Sequence, residues 1–289
     1  MRIAAIDIGT NSTRLLVANY NGNQVIPLYT DLEATRIGEG VGGSGIINRC
    51  ALTRTLKCLE RYINKCLQFN VEKVRLVATS AVRDAQNKLE VADEVYQKTK
   101  FQLEVLTGEK EAELSYLGVV SDLEQAELKK YIVVDLGGGS TELIFPTPKG
   151  IEYRSVNLGA VRLYENKKLI ADTSTILANL IPEWFSVNPI LVGVGGTVTT
   201  LVAIKLGLEK YDPAQVHGYQ LELEDIRSIS NKLNRLSLEQ RKTVKGLQPE
   251  RADIIPYGIY ILEKVMEILG VKKITASEKD ILYGIIITA

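Results

Sequence analysis

Apolar positions alternate or run in short blocks through the first thirty residues of this chain, then fall into a helical rhythm. Residues 2–8 and 12–20 read as two strands around a turn, and NGN at 21–23 opens a third strand near 24–30. The glycine-rich stretch RIGEGVGGSG, 36–45, breaks the pattern and predicts a mobile crossing. Leucine and isoleucine at helical spacing, with basic residues between them, predict a helix over 50–69. VRLVATS, 74–80, predicts a buried strand, and Asn87 is placed to cap a helix running to about 99. FQLEVLT predicts another strand and GEKEAELSYLGVV a helix, so the order is βββαβαβα.

The second half repeats that order. Strands are expected near 131–136, 140–146 and 151–157, then helical sequence from 160 to about 186, with Pro182 and Pro189 bracketing a break around Trp184. ILVGVGGTVTTLVAI reads as strand, glycine turn and helix start, and a longer helical insertion follows from about 222 to 269. KKITA is the last strand and EKDILYGIIIT the closing helix. The expected fold is α/β, duplicated as βββαβαβα, each half a mixed five-stranded sheet with flanking helices. The halves are placed at 1–122 and 123–276, the closing helix over about 277–289 being free to pack back on the first. Mixed sheets with crossover helices collect ligands at the carboxyl ends of strands, which puts the expected site in a cleft between the halves.

The duplication is sharpest in AIDIGTNSTRLLV, 5–17, and VVDLGGGSTELIF, 133–145, which align without a gap. Asp7 falls on Asp135, Gly9 on Gly137, Ser12 on Ser140 and Thr13 on Thr141. Each reads as a hairpin whose turn offers backbone N–H groups and hydroxyls to one point beside an acid, which suits a phosphate. Gly9, Thr10, Asn11 and Ser12, with Gly137, Gly138, Gly139 and Ser140, are therefore the phosphate-binding candidates. Asp7, Asp135 and Glu142 are the candidate holders of Mg²⁺, a cation that takes oxygen ligands and keeps part of its water. Arg14 stands where the other copy has Glu142. The first copy thus leans toward phosphate and the second toward metal, unless these two side chains point outward or pair with each other.

Other residues share the carboxyl ends of strands. Gly195, Gly196 and Thr197 in GVGGT form a glycine turn before a helix, suited to an anion or to tight strand–helix packing. Arg83 either grips two phosphoryl oxygens or pairs with Asp84 or another acid, and Arg36 is a further candidate of the same kind. Glu109, Glu111 and Glu113 crowd a helix start, where a carboxylate serves as a catalytic base or simply offsets the helix dipole. His217, the single histidine, makes either a structural hydrogen bond or a cleft contact.

Composition narrows the classes. The 35 basic and 35 acidic residues balance, so any phosphate affinity is local, and no basic stripe or aromatic platform points to nucleic acid. No segment reaches the ~20 apolar residues of a membrane helix. Cys50, Cys58 and Cys66 recur every eight residues of one helix, which predicts packing and suits a reducing compartment. A cytoplasmic location is expected. Neither a Walker phosphate loop nor a Ser-His-Asp arrangement is present in the sequence.

AIDIGTNSTRLLV, ATSAVRDAQN, LTGEKEAELSYLGV, VVDLGGGSTEL, SVNLGAVRL, GVGGTVTTLVA, VHGY and ERADIIPYG occur in an order that resembles the exopolyphosphatase / guanosine pentaphosphatase (Ppx/GppA) family. That family sits within the actin, sugar-kinase and chaperone-ATPase superfamily. The likeness is to a short form without the C-terminal helical domain, and SEKDILYGI lacks the arginine that many members carry there. The resemblance implies two actin-like (ribonuclease H-like) domains and a homodimeric hydrolase. It also implies release of the terminal phosphate of polyphosphate or guanosine pentaphosphate, with Mg²⁺ or another divalent cation. It implies Glu111 as the catalytic glutamate, because that residue directly precedes the matching alanine, with Arg83 and Glu142 in the same machinery. An ATP-dependent kinase of the same fold and a nucleotide-regulated actin-like assembly protein are the alternatives.

Overall fold

The computed structural model describes residues 1–121, 131–147, 150–182, 185 and 189–289; Trp184 and the expected junction at 122–123 lie outside the described residues. The chain divides into two compact units, Met1–Ser121 with Asp280–Ala289, and Asp122–Lys279.

The first unit runs β1 (Arg2–Ile8), β2 (Thr13–Tyr20), β3 (Val25–Glu33), α1 (Val41–Ser44), α2 (Arg49–Gln68), β4 (Lys73–Ala78), α3 (Ser80–Asp84), α4 (Lys88–Thr99), β5 (Leu103–Val105) and α5 (Gly108–Val120). The second holds β6 (Tyr131–Leu136), β7 (Thr141–Thr147), β8 (Gly150–Val156), α6 (Ala160–Glu165), α7 (Leu169–Ala178), β9 (Ile190–Val194), α8 (Gly196–Leu206), α9 (Pro213–Val216), β10 (Gln220–Glu222), α10 (Leu223–Asn234), α11 (Leu238–Arg241), α12 (Ile255–Leu269) and β11 (Lys273–Ala276). α13 (Ile281–Ile287) belongs to the first unit.

β1 is buried beyond Arg2 because both its faces are covered. Ala4, Ile6 and Ile8 point into a core with Leu52, Leu59 and Tyr62 of α2. Ile3 and Ala5 point the other way, onto Leu114 of α5 and Ile281 and Ile285 of α13. The strand order is β3-β2-β1-β4-β5, with β1, β4 and β5 parallel and the β1–β2–β3 meander antiparallel. α2 starts at Asn48, whose side chain accepts from Ala51 N at 2.8 Å.

The second sheet repeats the order as β8-β7-β6-β9-β11 and adds β10 at its edge, making six strands rather than the expected five. β10 is three residues long and pairs antiparallel with β11, which is too short to leave a period-2 pattern in the sequence. The expected helical insertion over 222–269 is α10, α11, a 3-10 turn at Pro249–Arg251 and α12. The helical stretch from 160 likewise splits into α6 and α7 and ends at Ala178.

Smaller corrections have local causes. FQLEVLT contributes only Leu103–Val105 to the sheet, because Thr107 already caps α5 by accepting from Lys110 N. Asn87 precedes α4 without capping it; its amide exchanges two hydrogen bonds with the backbone of Ile47 instead. Cys58 and Cys66 are buried in α2 while Cys50 is exposed, all three free. Burial pushes the Cys58 thiol up to about 12 and the Cys66 thiol up to about 11, out of reach of ordinary thiolate chemistry. Among the described residues no helix is long and apolar enough to cross a membrane.

Candidate active site

Both hairpins close with the same bond. Gly9 N donates to Ser12 O at 3.0 Å in the first, and Gly137 N donates to Ser140 O at 3.1 Å in the second. What lies behind each turn decides where its peptide groups aim. Across a trans peptide, the C=O of one residue and the N–H of the next point in opposite directions. In the first unit Thr10 O accepts from Gly38 N and Asn11 O from Arg36 N, both at 2.9 Å, so the N–H groups of Asn11 and Ser12 turn to the other side. In the second, Gly137 O accepts from Ala160 N at 3.1 Å, and Gly138 O from Val161 N at 2.8 Å and Arg162 N at 3.1 Å. Gly139 O accepts from Arg162 Nε at 2.8 Å. The N–H groups of Gly138, Gly139 and Ser140 are thereby presented together, a concavity for an anion.

The residue after each turn is tied to the same backing element. Thr13 Oγ1 shares a 2.8 Å hydrogen bond with Thr35 Oγ1 before the glycine-rich loop, and Thr141 Oγ1 donates to Leu158 O before α6. The loop predicted as a mobile crossing is thus fixed to the first turn through the backbone of Arg36, held at φ +48°, and of Gly38.

The carboxylates differ. Asp7 pairs across the ladder with Arg14, and Asp135 pairs with Glu142, so each couple shares one face of its sheet. Arg14 donates from Nη2 and Nε to Asp7 Oδ2 at 2.7 and 3.1 Å, and from Nη1 to Asp280 Oδ2. It does not point outward, its side chain being 22% exposed. Burial pushes the Asp7 carboxyl up and the guanidinium pulls it partly back, while the two acids hold Arg14 firmly charged. Asp7 Oδ1 is buried without a hydrogen-bond partner. Asp280 Oδ1 in turn caps α13 by accepting from Leu282 N at 3.0 Å.

Across the second ladder a carboxylate, Glu142, stands where the first has Arg14. Glu142 is 1% exposed, and its Oε1 accepts from Ser155 Oγ at 2.7 Å. Two carboxylates side by side on one sheet face fit Mg²⁺, which binds through one or two carboxylates and keeps several waters. Among the described residues no cluster of three or more His, Cys, Asp or Glu is gathered. Asp7 fits this duty less well, since its Oδ2 is committed to Arg14.

The glutamate trio resolves by burial. Glu109 is exposed, Glu113 pairs with Lys110 at 2.9 Å, and Glu111 is 8% exposed. Arg83, after β4, donates from Nη1 to Glu111 Oε2 at 2.7 Å and to Leu106 O at 3.1 Å, with Asp84 at 3.9 Å. The two residues named separately from the sequence therefore sit together, and Arg83 pairs closely with Glu111 and more distantly with Asp84.

Gly195 at φ +93° packs against β6; a Cβ there would lie 2.6 Å from Leu136 O and 3.4 Å from Asp135 Oδ1. The guanidinium of Arg251 lies directly over Gly196, where a Cβ would meet Nη1 at 1.7 Å. Thr197 is buried against Gly258 of α12. His217 Nδ1 accepts from Glu278 N at 3.2 Å, a structural hydrogen bond. Sequence reasoning missed Ser155, Arg162 and Arg251 as neighbours of these turns, although SVNLGAVRL and ERADIIPYG contain all three.

Against known proteins, the Ppx/GppA phosphatase family is matched over residues 16–288. The chain belongs to that family. The Ppx/GppA chain is 33% identical to Exopolyphosphatase 2 of Mycobacterium tuberculosis, over 98% of its own length and 97% of that protein. It is 34% identical to a bifunctional 3-dehydroquinate synthase/phosphatase of Fusobacterium nucleatum, of which it spans 46%. A guanosine-5'-triphosphate,3'-diphosphate pyrophosphatase of Aeromonas hydrophila is 27% identical, and the chain spans 59% of it. The crystal structure of the Aquifex aeolicus Ppx/GppA family member superposes with a TM-score of 0.81 at 29% identity, covering 100% of this chain and 97% of that one. Membership makes this chain a hydrolase with the actin-like fold that its motifs imply.

Proposed function

We propose that this Ppx/GppA chain hydrolyses the terminal phosphoanhydride bond of inorganic polyphosphate or guanosine pentaphosphate. The observation that carries the reading is the aim of the turns, whose carbonyls are drawn back so that consecutive N–H groups face one way. Relatives named for exopolyphosphatase and for guanosine-5'-triphosphate,3'-diphosphate pyrophosphatase activity support the choice of substrates.

In this reading the turns Gly9–Ser12 and Gly137–Ser140 receive phosphoryl oxygens, with Arg251 adding positive charge beside Gly195 and Gly196. Glu111 accepts a proton from a water as that water's oxygen bonds to the terminal phosphorus. The P–O bond to the rest of the chain breaks, and the leaving oxygen keeps the electron pair. Arg83 holds the Glu111 carboxylate in place until a phosphoryl group competes for the guanidinium. Asp135 and Glu142, with Ser155 behind Glu142, would hold the divalent cation. When bound, that cation offsets charge on the phosphoryl oxygens. Asp7 is left to Arg14.

Phosphate release measured over long polyphosphate, tripolyphosphate, guanosine pentaphosphate and ATP, with and without Mg²⁺, tests the activity. Glu111→Gln is expected to keep tripolyphosphate binding and to lose about 10²–10⁴-fold in turnover, the usual contribution of a positioned base. Normal turnover in that variant removes Glu111 from the role.

A further inference from the structure

We propose that Arg162 is a positioning residue for the second phosphate turn, acting through the carbonyl of Gly139 rather than through its charge; this rests on the phosphate-binding reading of Gly137–Ser140. The three glycines of that turn have no side chains to fix their peptide planes, and glycine loses more conformational freedom on ordering than any other residue. Three carbonyls must therefore be pinned for three N–H groups to converge. The backbone of α6 pins two of them, through Ala160 N on Gly137 O and through Val161 N and Arg162 N on Gly138 O. The main-chain donor of Arg162 is already spent on Gly138. The side chain of Arg162 completes the set, its Nε donating to Gly139 O at 2.8 Å. The peptide between Gly139 and Ser140 is the one that aims Ser140 N–H, and a trans peptide turns both ends together.

Gly159 is what lets α6 come this close. A Cβ there would lie 2.5 Å from both the carbonyl carbon and oxygen of Gly138 and 2.6 Å from Gly139 N. In the first turn main-chain donors hold two carbonyls, Arg36 N that of Asn11 and Gly38 N that of Thr10.

The chemistry of the side chain supplies a clean test. Glutamine carries an N–H₂ on Cδ, the same place that arginine carries Nε, so Arg162→Gln keeps the donor and removes the charge. Arg162→Lys keeps the charge but puts a methylene at that place. Binding of tripolyphosphate by calorimetry, in a Glu111→Gln background so that nothing is turned over, is read alongside KM and kcat in the otherwise native chain. Arg162→Ala and Arg162→Lys are expected to weaken binding and raise KM by roughly tenfold, the worth of one hydrogen bond to an ordered carbonyl. Arg162→Gln is expected to restore binding to near the native value, with kcat changed least. The reverse ranking, lysine near native and glutamine as poor as alanine, would show a direct charge contact and overturn the assignment. Equal affinities in all four proteins would overturn it too. A native chain that binds no tripolyphosphate at all would instead remove the phosphate reading on which the assignment stands.

Discussion

The two hairpins share a register, a closing bond and a carboxylate, yet they solve one electrostatic problem in opposite ways. In the first, Asp7 meets Arg14 across the ladder, and the couple is neutral within the protein. In the second, Asp135 meets Glu142, so two carboxyl groups stand across the ladder beside the turn. Like charges facing each other across a strand pair are destabilising, and burial raises the cost. The first hairpin holds a cationic side chain of its own, and in the proposed reading the second takes a divalent cation. The turns' supports have diverged as well, to a loop behind one and a helix start behind the other.

The largest expected effect separates the halves by metal. Glu142→Gln should lower phosphate release by roughly 100-fold or more, since even outer partners of a metal ligand are worth 10–100-fold. The Mg²⁺ concentration for half-maximal rate should rise, while the fold is kept, because the glutamine amide still accepts from Ser155. An unchanged Mg²⁺ requirement would break the contrast between the halves. Next in size is Arg14→Met, which leaves Asp7 and Asp280 without their cation. Removing one partner of a buried pair costs about 3–5 kcal/mol; with Arg14 22% exposed, solvent screening brings the expectation to about 2–4 kcal/mol in urea unfolding. The Mg²⁺ requirement of the residual activity should not move. If Arg14→Met shifts it as Glu142→Gln does, the first hairpin is a metal site after all.

How much of this was legible depends on the range of each interaction. The hairpins, the duplicated order and the placement of Asp7 on Asp135 follow from period-2 strands and small-residue turns, which are local. Spacing alone left Glu111 one of three equivalent carboxylates, and only the resemblance singled it out; what sets it apart physically is burial against Arg83, 28 positions away. Arg14 read as a phosphate or surface group because nothing local announces Asp280, 266 positions on. Asp280 does carry a faint local sign, an acid just before an apolar run, and it caps α13 as that sign suggests. Arg162 lay in a motif noted for its resemblance and went unread because its partner is a backbone carbonyl, which leaves no mark in composition. β10 shows the same limit in the sheet: three residues pair with β11 because the edge is there to be paired.

The smallest expected effect tests the supports themselves. Each backing element approaches its turn over a glycine, and the two glycines meet different atoms. At Gly159 the three nearest atoms to an added methyl are main-chain atoms of Gly138 and Gly139 at 2.5–2.6 Å, so either α6 or the turn must retreat. At Gly38 the nearest atom, 2.3 Å away, is the Thr10 Cγ2 methyl, with Thr10 O at 3.1 Å and Ala81 Cβ at 3.2 Å behind it. Overpacking costs about 1–3 kcal/mol, and the yielding side chain places Gly38→Ala near the bottom of that range and Gly159→Ala near the top. Thr10→Ser deletes the methyl in question, so the pair Gly38→Ala with Thr10→Ser should recover most of the loss, as unfolding midpoints would show. No second-site change of that kind relieves Gly159→Ala, because the three nearest atoms it meets belong to the backbone whose aim it disturbs. Equal losses at the two glycines, or no recovery in the Thr10→Ser pair, would mean that loop and helix start hold their turns with the same stiffness.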